Sequence, residues 1–130
     1  MLRKIALTSA LVLGGLSAPA FAEEHYVLMM GDGYFPNFLY LNTGDTVRFI
    51  NMTAFPTSAT ASDGSWDTGV LLQNQEYVLT VTDGMKQTYG NSVTDNVDQW
   101  GYAVGTNMVG VIDYLNVANT TENMVVANAK

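Results

Sequence analysis

The chain has 130 residues, 48% of them hydrophobic, a length that bounds it to one domain with one packed core. Five Lys and Arg against twelve Asp and Glu leave a formal charge of −7, so the cationic footprint demanded by phosphate backbones is missing and no nucleic-acid partner is expected. With no Cys and a single His, disulfides, thiolate nucleophiles and thiolate-held metals are excluded, few routes to acid–base catalysis near neutral pH remain, and the chain does not read as an enzyme.

The elements begin with an address. Leu2-Arg3-Lys4 is a short basic start, residues 5–16 are apolar apart from Thr8, Ser9, Gly14 and Gly15, and Ala20-Phe21-Ala22 supplies small residues where a signal peptidase reads them. Residues 1–22 are therefore expected to be a cleaved signal peptide, too short in its apolar part to span a bilayer, with no membrane anchor left after cleavage. Cleavage leaves three basic residues, Arg48, Lys86 and Lys130, against the same twelve acidic ones. An acidic, disulfide-free, exported domain is expected to be periplasmic or secreted, where a protein partner is the natural one.

Beyond the leader, β-formers recur in short alternating runs between turn residues. The runs are 25–30, 38–41, 46–50, 56–61, 70–72, 77–81, 85–89, 100–104 and 108–115. Val47 and Phe49 fall on one face of the third run. Gly31-Asp32-Gly33, Asn42-Thr43-Gly44-Asp45, Ser62-Asp63-Gly64 and Asp83-Gly84 are the turns, the last a hairpin-type turn into the next run. Residues 93–100 have the only composition suited to a short helix. This spacing predicts an all-β antiparallel Greek-key sandwich or barrel. The domain is expected over 23–117, followed by a flexible tail over 118–130 rich in Asn, Ala and Thr.

Phe35-Pro36-x-x-Leu39-x-Leu41-x-x-Gly44-Asp45-Thr46-Val47-x-Phe49-x-Asn51, then Asp63-Gly64-Ser65-Trp66-Asp67-Thr68-Gly69, then Met108-Val109-Gly110-Val111-Ile112, together resemble the cupredoxins, the plastocyanin- and pseudoazurin-like copper proteins. The resemblance implies a β-sandwich with a copper ion held by His, Cys, His and a weak axial Met. Here Thr57 stands at the first His position. Counting back from Met108 with the family's loop length puts Trp100 at the Cys and Ala103 at the second His. Only Met108 matches a ligand, and without a thiolate no type 1 copper centre can form.

One copper arrangement survives this loss. Cleavage after Ala22 makes His25 the third residue of Glu23-Glu24-His25, and an α-amine, two deprotonated amides and an imidazole can bind Cu(II) in a square plane of nitrogens. Neither Glu24 nor His25 is Pro, so both amides have a proton to lose. If these residues are paired in a sheet, the amides are not free to wrap an ion. Met108 is a second candidate ligand, of interest for Cu(I) if Met52, Met85 or His25 lies beside it. Asp95, Asn96 and Asp98 lack the Ca²⁺-loop spacing and read as a solvated loop. The first functional reading is therefore copper handling without a type 1 site. The alternative is a structural or protein-interaction module whose former metal pocket is filled by Thr57, Trp100 and Ala103, with Tyr102, Trp66, Tyr34 and Phe55 adding aromatic surface.

Overall fold

A computed structural model describes residues 21–115. All but the last two residues of the expected leader, and the whole of the expected tail, lie outside the described residues. Eight strands form: β1 (Glu24–Met30), β2 (Gly33–Phe35), β3 (Phe38–Tyr40), β4 (Thr46–Asn51), β5 (Thr60–Ala61), β6 (Glu76–Thr80), β7 (Thr88–Gly90) and β8 (Val109–Asp113). They make two four-stranded sheets, ordered β2-β1-β4-β6 and β3-β8-β7-β5. The expected sandwich is present. Its sheets are mixed rather than wholly antiparallel, because β1 runs parallel to β4 and β3 parallel to β8.

The alternation in β4 shows why the sheets face one another. Val47, Phe49 and Asn51 are buried while Thr46, Arg48 and Ile50 are not, the period-two pattern of a strand with one covered face. Val27 and Met29 do the same from β1 and Ile112 from β8. Each such buried side chain contributes about 1.5–3 kcal/mol relative to exposure. Phe49, Tyr89, Trp66 and Tyr34 form the aromatic centre. Tyr89 stands 4.7 Å from Tyr34, 5.4 Å from Phe49 and 5.5 Å from Trp66 between ring centroids. Tyr34 is therefore core, not aromatic surface, and Trp66, partly buried, packs against it: Tyr34 O–H donates to the Ser58 carbonyl at 2.6 Å and Trp66 Nε1–H to that of Lys86 at 2.8 Å.

Several predicted runs shrink. Residues 70–72 and 100–104 give only isolated bridges, Thr57 to Leu71 and Val97 to Ala103, and β2 begins on the Gly33 assigned to a turn. Residues 93–100 are not helical. The Asp83-Gly84 turn is present, with Gly84 at φ 79°, but it carries the chain from β6 in one sheet to β7 in the other and closes no hairpin.

Gly110 faces Tyr89 across the β7–β8 register, and a Cβ there would run into the Tyr89 ring. Gly110→Ala is expected to cost about 3 kcal/mol, read as a lowered urea midpoint. The buried Tyr89 hydroxyl has no hydrogen-bond partner among the described residues, so Tyr89→Phe is expected to leave stability unchanged or raise it by about 1 kcal/mol in the same titration.

Candidate functional site

Three segments meet at one end of the sandwich: the β1–β2 turn, residues 52–56 and the 91–107 connection between β7 and β8. Two side-chain amides brace the second and third of them. Asn51, wholly buried, donates through Nδ2 to the carbonyls of Phe55 at 2.7 Å and Leu71 at 2.8 Å, while its Oδ1 accepts from the Thr53 amide and hydroxyl, both at 2.8 Å. Asn91 donates to the carbonyls of Val93 at 2.8 Å and Gly105 at 3.0 Å; its Oδ1 accepts from the Ser58 and Val93 amides, each at 3.0 Å. All donors and acceptors of both amides are thus used.

Between these clamps lies a void of about 10 Å³, bounded by Met30, Thr57, Asn91, Asn96 and Met108 among others. That volume holds one water at most. Thr57 and Met108, the positions that the resemblance puts at the first His and the axial Met, do come together, with Thr57 Oγ1 4.0 Å from Met108 Sδ. Trp100 and Ala103 do not. Both are exposed, and Asn91 and Asn96 are among the residues that line the void instead. The physical reason is the length of the connection: counting back from Met108 lands on an outgrowth, not on the sheet.

That outgrowth is a small hairpin. The Asp98 amide donates to the Tyr102 carbonyl at 2.9 Å and the Val104 amide to that of Asn96 at 3.0 Å. Asp98 Oδ1 accepts from the amides of Trp100 and Tyr102, both at 2.9 Å, and Gly101 takes the left-handed φ of 83° that the tip requires. Asn96 Nδ2 ties the base to the Pro56 carbonyl at 2.6 Å. The carboxylate and amide read as a solvated loop are thus the frame that fixes the tip. It presents Trp100 and Tyr102 at 73% and 71% exposure. Phe55 is half-buried beside the void.

The Glu23-Glu24-His25 segment lies at the other end of β1, about 20 Å from Met30 at the rise of a strand. No single ion can use both it and Met108. The Thr46 N–H donates to the Glu23 carbonyl at 2.9 Å and Glu24 pairs with Thr46; a parallel ladder in that register commits the His25 N–H to the Thr46 carbonyl. The Glu23 nitrogen donates to Asp45 Oδ1 at 3.0 Å. Among the described residues the buried His25 Nε2 has no hydrogen-bond partner; it lies at ion-pair distance from two carboxylates, 3.6 Å from Asp45 Oδ2 and 3.9 Å from Glu23 Oε2. Among the described residues no three His, Asp or Glu are grouped to hold a metal. Neither Met52 nor Met85 borders the void at Met108; Met30 does.

The solved structures agree with this architecture. A copper-containing nitrite reductase (NirK) from Thermus scotoductus SA-01 is similar with a TM-score of 0.54 and 22% identity, over 68% of this chain and 21% of its own, so the chain spans about a fifth of that protein. A pseudoazurin from Hyphomicrobium denitrificans is similar at 0.48 and 18%, over 76% and 81%, and one from Sinorhizobium at 0.47 and 22%, over 74% and 79%. No protein-family model and no curated protein matches. The fold is cupredoxin-like, and the ligand set of a type 1 copper site is absent.

Asn91→Ala is expected to lower stability by about 3 kcal/mol, because the Ser58 and Val93 amides and the Gly105 carbonyl lose their partner. Gly105→Ala should act in the same direction, since φ is 74° there and a Cβ would lie 2.8 Å from Asn91 Nδ2; thermal unfolding checks both. Burial of Asp45 would by itself raise its pKa, but the amides of Glu23 and Asn42 and the neighbouring His25 hold it below its ordinary value. Its stabilising effect is therefore complete above the ordinary carboxylate range and is lost as pH falls through the lowered value. Asp45→Asn should flatten that acid limb in unfolding curves measured against pH.

Proposed function

We propose that this chain is an exported interaction module on a cupredoxin-like scaffold, binding a protein partner through the Trp100–Tyr102 hairpin. The observation that carries this reading is the preorganised tip. Two large aromatics project into solvent from a turn already fixed by Asp98, so binding orders little that is not ordered beforehand. Trp and Tyr are the residues most enriched at the energetic centres of interfaces. The leader supports export to the periplasm or beyond, and neither catalysis nor a bound cofactor is part of this reading.

Cu(II) binding by Glu23, Glu24 and His25 is the second reading, favoured by the carboxylates of Asp45 and Glu23 that lie 3.6 Å and 3.9 Å from the His25 ring and attract a cation to this end. The chelate must draw the His25 amide out of the β1–β4 ladder and the Glu23 nitrogen away from Asp45. On this reading one equivalent of Cu(II) binds the chain beginning at Glu23 and none binds a chain carrying one extra residue before it. Equal titrations of the two chains would remove it.

For the first reading, a photo-crosslinking residue at exposed Gln99 is expected to capture one discrete partner in the exporting cell, and Trp100→Ala or Tyr102→Ala to abolish the adduct. Both variants should unfold within about 0.5 kcal/mol of the parent. An adduct that survives both substitutions would refute the hairpin as the contact.

A further inference from the structure

A groove of about 570 Å³ separates the edge of the first sheet at β2 from the start of β8. Leu28, Met30, Phe35 and Val109 form its apolar wall, and Asp32 and Asn107 its rim. Phe35 is 71% and Val109 62% exposed, so the wall is open to solvent.

The backbone of β8 is open there as well. The Val111 amide donates to the Asn37 carbonyl at 2.8 Å, and the Ile112 amide donates to the Gln87 carbonyl at 2.9 Å, on the opposite side. Main-chain groups alternate sides along a strand, so Val109 aims its N–H and C=O to the same side as Val111. β3 first pairs at Phe38 with Val111, so among the described residues no strand is hydrogen-bonded to Val109 on that side. An unpaired edge next to an apolar cleft is a template for strand addition.

Charge selects the occupant. Asp32 is the one charged side chain bordering the groove. Of the cations among the described residues, Arg48 is engaged by Glu24 and Glu76, and Lys86 lies beside Leu115, past the far end of β8. The groove therefore carries one anionic side chain and, among the described residues, no cation to offset it, on a chain of net charge −7.

We propose that this groove binds an extended, cation-bearing segment of a partner protein, added as a strand against β8 at Val109. Alternate side chains of the segment enter the apolar wall, and a Lys or Arg reaches Asp32. This site is separate from the Trp100–Tyr102 hairpin and does not depend on it.

The test uses the chain from residue 23 to 130 and a capped Lys-Val-Lys-Val-Lys-Val peptide, with Glu-Val-Glu-Val-Glu-Val as its counterpart. The Lys peptide is expected to slow hydrogen exchange at the Val109 amide and the Glu peptide to leave it unchanged. Phe35→Ala should weaken binding about tenfold and Asp32→Asn should weaken it too, both with parental unfolding temperatures. Equal binding of the two peptides, or Lys-peptide binding that leaves Val109 exchange unchanged, would overturn the proposal. So would binding that emerges only after residues 116–130 are deleted, which makes the tail the occupant, or sedimentation as a dimer that Phe35→Ala dissociates, which makes it a second copy.

Discussion

A β-sandwich is held by ladders along its strands and by side chains between its layers, but nothing in either pattern closes its ends. At the end where the β1–β2 turn, residues 52–56 and residues 91–107 converge, closure rests on the amides of Asn51 and Asn91. Each reaches backbone groups on separate segments, so each does by hydrogen bonding what a coordinated ion does by donor atoms: it fixes loops from different strands in one geometry. A neutral amide has two donors and two acceptor positions. Those valences match the carbonyls and amides that converging loops leave unpaired, and leaving them unmatched in a buried setting costs about 1–3 kcal/mol each.

This closure separates stability from presentation. With the void reduced to about 10 Å³, no ligand is needed to complete the packing, and the 91–107 connection can project beyond the sandwich. Its aromatics bury little, at 73% and 71% exposure, and so add little to the core. Isolated exposed hydrophobics are ordinary. Two on one braced tip, framed by a carboxylate that accepts both of their amides, are better accounted for by recognition than by packing.

Much of the architecture was legible in the residues. The alternation of Val47 and Phe49 gave the inward face of β4, and the three ordered motifs gave the cupredoxin-like sandwich. Composition alone was sufficient to exclude a type 1 copper centre. What resisted reading was non-local. The two parallel pairings arise because chain crossings bring β1 to β4 and β3 to β8, and alternation within one strand says nothing about its neighbour's direction. Asn91 and Asn96 looked like loop polarity, since a side chain's hydrogen-bond partners 33 and 40 residues away leave no local signature. The local signals were Asn91 and Asp98, each with a residue two positions on, the spacing of a side chain capping its own turn. Asp45 was read as a turn former beside Gly44, which it is, but it is also 4% exposed and anchors the Glu23 nitrogen.

The direction of β1 sets the remaining logic. It starts at Glu24, against Thr46, and ends at Met30, beside the Asn91 void. Every nitrogen donor the sequence offers for copper is therefore at one end, and the thioether of Met108 at the other. The donors at the first end are also structural: the His25 amide belongs to the ladder that holds β1 to β4, and the Glu23 nitrogen satisfies a buried carboxylate. A metal there must compete with the sheet that positions it. A partner at the hairpin displaces only water, because the Asp98 frame is complete without it. Of the two ends, the one without a nitrogen donor for copper is the one whose occupation the fold does not oppose.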